Sequence, residues 1–121
     1  NIAVVDRGGH LMAFIRMEGA RAGSGITAQT KATAAATFRT ATGPIVRGDD
    51  PNLLLNLSLQ SAAAAGGGKY TSLYGGVPVE VDGQIIGAVG VGGATGEQDA
   101  EIARAGIAAL VEAYKKTASA K

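Results

Sequence analysis

The sequence contains no cysteine and no tryptophan, and aromatic residues make up only 4% of its 121 positions. The absence of cysteine excludes disulfides, thiolate nucleophiles and cysteine-ligated zinc sites. It suits the cytosol and the periplasm equally, so it does not assign a compartment. With so few aromatic residues, the chain has no platform on which the bases of a single-stranded nucleic acid could stack.

An excess of charge of one sign is also missing. Eleven lysines and arginines oppose ten acidic residues, the net charge is +1, and the charges are scattered along the chain. This excludes a basic stripe for nucleic acid and a polybasic patch for a membrane surface. No run of 18 apolar residues is present, so the sequence predicts no transmembrane helix. We therefore expect one domain over residues 1–121, with neither a nucleic acid nor a membrane as its partner.

What is present in abundance is glycine, and the most informative glycine-rich stretch covers residues 74–99. Valines alternate with other residues over 77–81, which is the period of a half-buried strand. The Asp82-Gly83 dipeptide is typical of a type I′ turn, in which both central residues have positive φ. Residues 85–92 are almost all apolar and predict a more buried partner strand. The stretch therefore predicts a β-hairpin.

The glycines that follow this hairpin lie between a strand and a helix, where a nucleotide-binding loop would lie. Their spacing does not give GxGxxG, because Thr95 occupies the place of the last glycine, and no Gly-Lys-Ser/Thr follows. The preceding strand is antiparallel to its neighbour, whereas a dinucleotide site needs a parallel βαβ unit. Thr95 and Gln98 form a helix capping box instead. We interpret the glycines as positions where two backbone segments come close together.

The rest of the chain predicts an α+β domain with a five-stranded antiparallel sheet flanked by helices. An alanine-rich helix is expected over residues 26–42, with Ala28, Lys31, Ala32 and Ala35 on the stripe that packs closely. The other predicted elements are strands over 1–6, 11–17 and 69–74, a short helix after Asp50-Pro51 with inward-pointing leucines, a loop over 62–68 and a last amphipathic helix.

The first residues already have the pattern of a buried central strand, with no turn or helix before it. We expect a helix upstream of residue 1 that is absent from this chain. We expect the protein in the cytoplasm, or in the periplasm or outside the cell if an upstream signal peptide has been removed.

Three blocks of sequence together resemble one known family. VVDRGGHLMAFIRMEGA, KATAAATF and GGVPVEVDGQIIGAVGVGG with its trailing EQD are similar to the GlcG/HbpS-like haem-binding, or haem-degrading, family. That family includes the C-terminal domain of PduO-type corrinoid adenosyltransferases. The resemblance implies a profilin-like fold, a helix before the first strand, and homo-oligomers such as tetramers or octamers. It also implies haem as the cofactor, with a corrinoid as the alternative.

Few polar residues are candidates for chemistry. His10 is the only histidine and lies in a predicted turn, where it is either a solvated turn residue or an axial ligand of a haem iron, which needs only one or two such ligands. Met12, Met17, Tyr70 and Tyr74 are further axial candidates, each with simple packing as the alternative. No Ser-His-Asp arrangement is legible, so the catalytic residues, if any, are unknown.

A ligand-binding site is expected where the strand over 11–17, the helix that carries Lys31 and the Tyr74-Gly75-Gly76 turn converge. Arg16 and Lys31 could hold a carboxylate or a haem propionate. The alternative for Arg16 is a structural ion pair with Glu18 or Asp99.

Three functions remain open from the sequence. The first is a small-ligand binding module for haem or another tetrapyrrole, as the resemblance implies. The second is an accessory enzyme or binder of a small carboxylate or aldehyde metabolite in a catabolic operon, acting through Arg16 and Lys31. The third is an oligomeric scaffold without a ligand. Whether the chain is an enzyme is left open.

Overall fold

The computed structural model describes residues 1–120, which form one antiparallel sheet with helices on both faces. The elements are β1 (Ile2–Asp6), β2 (Leu11–Ile15), α1 (Ala22–Phe38), β3 (Val46–Arg47), β4 (Asp50–Pro51), α2 (Leu53–Ala65), β5 (Gly76–Val81), β6 (Gln84–Val91) and α3 (Gly96–Ala120). The main sheet has the strand order β2-β1-β6-β5, and β3 and β4 form a separate small hairpin. The predicted α+β class and the antiparallel sheet are confirmed.

Helix α1 covers one face of the sheet through its alanines. Ala28, Ala32 and Ala35 are fully buried, as the predicted stripe requires. These side chains are so short that the helix lies directly on β6. A methyl group at Gly90 would overlap Ala28 O and would lie 2.5 Å from Ala32 N. Glycine is therefore required at position 90 by this close approach.

Helix α3 covers the other face. Ala103 is fully buried there and packs with the valines of β5 and β6, while Ile107 and Val111 lie at the edge of the same cluster. The predicted capping box begins this helix, because Gln98 N donates to Thr95 Oγ1 and Thr95 N donates to Gln98 Oε1, both at 3.2 Å. None of the helices among the described residues is long and apolar enough to span a bilayer.

The main sheet has four strands rather than the five expected, because residues 69–74 do not form a strand. Local side-chain contacts hold this segment in an irregular path. Leu73 N donates to Thr71 Oγ1 at 3.1 Å, and the rings of Tyr70 and Phe38 meet edge to face with their centroids 4.9 Å apart.

The helix bounds also differ from the prediction. Helix α1 begins four residues before the predicted start at residue 26 and ends at Phe38, because Arg39 takes a left-handed conformation with φ of 57°. Helix α2 continues through the alanines that were predicted as a loop, since alanine has the highest helix propensity. The leucines predicted to point inward from α2 do the opposite: Leu53 and Leu54 are 76% exposed and Leu57 is 63% exposed.

The hairpin between β5 and β6 has the predicted turn. Asp82 and Gly83 have φ of 51° and 77°, as a type I′ turn requires.

Replacing Gly83 should therefore lower the stability of the fold, although a side chain at this position would meet no neighbouring atom. A Cβ at Gly83 or at Gly106, in α3, would meet no atom within 4 Å, but only Gly83 has a positive φ. We expect Gly83→Ala to lower the free energy of unfolding by about 1 kcal/mol, because alanine is disfavoured in the left-handed region. The same change at Gly106 should raise it by about 0.8 kcal/mol, since alanine favours the helix interior. Urea unfolding followed by circular dichroism measures both, and equal effects would contradict the turn assignment.

Candidate functional site

A buried ion pair lies between the two helices at one end of the sheet. Lys31 is 4% exposed and Asp99 is 2% exposed, and Lys31 Nζ lies 2.9 Å from Asp99 Oδ2. Lys31 Nζ also donates to Val91 O at 2.8 Å, and Asp99 Oδ1 accepts from Ala94 N at 3.0 Å. The pair thus joins α1 on one face, the end of β6, and the start of α3 on the other face.

The two glycines of the predicted site lie close to Lys31, one against its side chain and one against its backbone. A Cβ at Gly75, which has φ of +128°, would lie 2.9 Å from Asp99 Cβ and 3.0 Å from Lys31 Cδ. A Cβ at Gly76 would overlap Lys31 O. The N–H of Gly76 donates to Thr42 Oγ1 at 2.8 Å, so it is already paired within the chain. Gly75 therefore makes room for the ion pair, and Gly76 makes room for the backbone of α1 at Lys31.

Two cavities lie on either side of Tyr74. We call the first the lysine cavity; it has a volume of about 660 Å³ and contains both Lys31 and Asp99 in its wall. We call the second the tyrosine cavity; it has a volume of about 510 Å³ and contains Tyr70 and Tyr74. Tyr74 and Pro44 belong to the walls of both. Both volumes fall in the range of small-molecule sites.

The tyrosine cavity is mostly apolar. Its wall includes Phe38, Ile45 and Val77, and the polar groups of Tyr70 and Arg104 lie among them. Such a wall suits a flat apolar ligand that carries an acidic group, because the apolar side chains exclude water while a guanidinium can pair with a carboxylate.

The Tyr74 ring is placed by two glycines that sequence reasoning did not associate with it. A Cβ at Gly43 would lie 2.7 Å from Tyr74 Cε1, and one at Gly96 would lie 2.9 Å from Tyr74 Cβ. Any larger residue at these positions would push the ring away.

Arg16 is not brought to the other predicted site residues. It is exposed just after β2 and belongs to the wall of neither cavity. Strands β2 and β5 are opposite edges of the sheet, three strand spacings or roughly 14 Å apart. Asp99, the possible partner of Arg16, pairs with Lys31 instead. The arginine in the wall of the lysine cavity is Arg21, which the sequence analysis missed although it directly precedes α1.

His10 lies in the exposed β1–β2 turn, outside both cavities. Its Nδ1 lies 3.3 Å from Asp6 Oδ1, and its side chain is 83% exposed. The pKa of Asp6 is lowered from its ordinary value, first because His10 N donates to the carboxylate and further because Gly8 N does. Among residues 1–120, no group of three or more His, Cys, Asp or Glu residues could hold a metal ion.

These features define a small α+β domain with two adjacent cavities beside a buried ion pair. Comparison with known proteins identifies its family. The family model described as haem degrading protein HbpS-like matches residues 1–108, so the chain belongs to the HbpS-like family, and the resemblance seen in its sequence is confirmed.

Individual relatives support the same family assignment. The chain is 45% identical to GlcG of Escherichia coli strain K12 over 91 residues, which cover 75% of this chain and 62% of GlcG. It therefore spans less than two thirds of that curated relative. A structure described as a PduOC:haem complex matches with a TM-score of 0.72 at 32% identity, covering 89% of this chain and 75% of that one. A double mutant of HbpS from Streptomyces reticuli matches with a TM-score of 0.70 at 33% identity, covering 90% and 69%.

The buried pair should be essential to stability. We expect Lys31→Met to lower the free energy of unfolding by about 3–5 kcal/mol, because it leaves Asp99 charged and buried without its partner. Adding Asp99→Asn to this variant should restore part of the loss. The control is Lys116→Met, which breaks an exposed pair with Glu112, 3.4 Å apart, and should change stability by less than about 1 kcal/mol. Denaturant unfolding measures all three, and equal effects of the two lysine changes would show that the buried pair is dispensable.

Proposed function

We propose that this chain binds haem, or another tetrapyrrole, in the tyrosine cavity. The observation that carries the proposal is the apolar cavity of about 510 Å³ with two tyrosines and an arginine in its wall, in a chain whose family is described as haem-degrading. A structural relative in complex with haem supports the same ligand class.

The residues present fit such a group. Tyrosine is one of the side chains that ligate haem iron, and both Tyr70 and Tyr74 belong to the cavity. Phe38 and Ile45 provide apolar contact for a macrocycle and exclude water from it. Arg104 provides a permanent positive charge for a propionate. When bound, haem would supply an iron centre capable of redox chemistry.

Titration with haemin tests the proposal. We expect a saturable Soret band, because the apolar wall removes the macrocycle from water. Removing the phenol that ligates the iron should shift this band in Tyr70→Phe or in Tyr74→Phe. Tyr114→Phe is the matched control, since this third tyrosine lies outside both cavities.

The variant His10→Ala tests whether the histidine, rather than a tyrosine of the cavity, ligates the haem iron. An unchanged band in this variant supports the tyrosine cavity. A band that shifts only in His10→Ala, or no band in the parent protein, would contradict the proposal.

We also propose that the chain forms a homo-oligomer, a tetramer or an octamer, through apolar surface that the single chain leaves exposed. Strand β2 is an edge of the sheet, and Met12, Ile15 and Met17 on or beside it are more than 60% exposed. Leucines of α2 are equally exposed. An unpaired apolar edge and a large apolar patch are rare on monomers.

Light scattering at micromolar concentration should therefore give a mass of at least four chains. Leu54→Glu should lower this mass, because it places a charge in the exposed leucine surface of α2. Gln84→Glu, an equal change of charge at an exposed residue of the β5–β6 hairpin, should not. A monomeric mass for the unchanged protein would contradict the proposal.

A further inference from the structure

The N-terminus of α1 lies in the wall of the lysine cavity. It lacks the side-chain capping that the N-terminus of α3 has. The residue at the cap of α1, Arg21, makes no side-chain cap hydrogen bond, and the first turn contains no acidic residue. In α3 the capping box and Asp99 accept from the backbone N–H groups. Ser24 N donates to Arg21 O at 3.1 Å, but the N–H of Gly23, one position earlier, has no acceptor within the helix and lies at the positive end of the helix dipole.

A second feature of the same wall points to a ligand. Ser24 is only 7% exposed and belongs to the cavity wall, yet its hydroxyl has no hydrogen-bond partner among residues 1–120. A hydroxyl group that opens onto a cavity is available to donate to, or accept from, whatever occupies the cavity. The other hydroxyl close by in the cavity wall differs from it, because Thr27 Oγ1 already donates to Ser24 O at 3.0 Å.

The charges of the wall favour an anion. Arg21 and Lys31 are positive, and the only negative group, Asp99, already accepts hydrogen bonds at both of its oxygens. Lys31 uses two of its three N–H groups for Val91 O and Asp99. Beside them, Gly23 has no side chain to cover its backbone, and a Cβ there would meet nothing within 4 Å.

We propose that the lysine cavity is a carboxylate-binding site, formed by the guanidinium of Arg21, the hydroxyl of Ser24 and the backbone N–H of Gly23. A carboxylate has two oxygens that accept several hydrogen bonds at once, and it matches a guanidinium in geometry. The hydroxyl of Ser24 donates to one of these oxygens and so gains the partner it lacks within the chain.

The carboxylate can come from two sources. It can belong to a free small organic acid, which a cavity of about 660 Å³ accommodates. It can also be a propionate of a tetrapyrrole in the adjacent tyrosine cavity, because Tyr74 and Pro44 form a common wall. The second source rests on the proposed function, whereas the first does not.

Acetate is the probe for the site itself. In a titration of ¹⁵N-labelled protein at constant ionic strength, we expect saturable shifts of the Gly23 and Ser24 amide signals, and none with chloride. Arg21→Gln should weaken acetate binding about 10-fold or more, as expected for a hydrogen bond to a charged group, and Ser24→Ala about 3- to 10-fold. Arg7→Gln, the same charge change at the opposite end of the sheet, should leave binding unchanged. Shifts that do not saturate, or that persist unchanged in Arg21→Gln, would overturn the proposal.

Haemin and its dimethyl ester distinguish the two sources. If a propionate occupies the site, acetate should compete with haemin, and Arg21→Gln should weaken the binding of haemin but not that of the ester. If a free acid occupies it, acetate should still bind to the haemin complex without displacing haemin, and Arg21→Gln should not weaken the binding of haemin. A failure of haemin to bind at all would contradict the proposed function and leave the acetate titration as the test of the carboxylate site.

Discussion

The ion pair between Lys31 and Asp99 is the interaction on which the rest of this end of the molecule depends. Two helices on opposite faces of a sheet are normally connected only through the side chains of the strands between them. Here a single lysine reaches past the end of β6 to the first turn of the opposite helix. Because both charges are buried, the surrounding backbone has to satisfy them, and Val91 and Ala94 do so. The glycine before β5 follows from the same constraint, since a Cβ at Gly75 would crowd Val91 O and the side chains of both charged residues.

The parts of the fold that the sequence predicted correctly are those decided by short-range geometry. The Asp82-Gly83 turn and the Thr95–Gln98 capping box each depend on residues no more than three positions apart, so the pattern and the structure coincide. The prediction of a strand over 69–74 was wrong. Tyrosine and threonine in this segment favour a strand, but its path is decided by contact with α1 and by local side-chain hydrogen bonds. The prediction that the leucines of α2 point inward was wrong for a related reason. Their spacing shows that they share a face, but not whether the chain itself covers that face.

The candidate site divides in the same way. Lys31, Tyr74 and the two glycines were expected together and do lie together, because adjacent elements of the sheet and α1 bring them to one place. Arg16 was expected with them, yet strand order decides its position, and no pattern in the sequence indicated that β2 and β5 would be opposite edges. Arg21 and Ser24, which we propose as ligand-binding residues, were overlooked because their side chains make no hydrogen bond within the chain that the sequence could have suggested. Such unused donors become visible only when every neighbouring acceptor has been placed.

The position of Tyr74 has a thermodynamic consequence. Its ring is a wall of both cavities and fills the space that the missing side chains of Gly43 and Gly96 leave open. An occupant of one cavity that shifts the ring changes the shape of the other cavity by the same movement. The two binding equilibria are then linked through one side chain, and linkage is reciprocal: whatever the first ligand does to the affinity of the second, the second does to the affinity of the first. A domain of this size can in this way make the uptake of one molecule conditional on the presence of another.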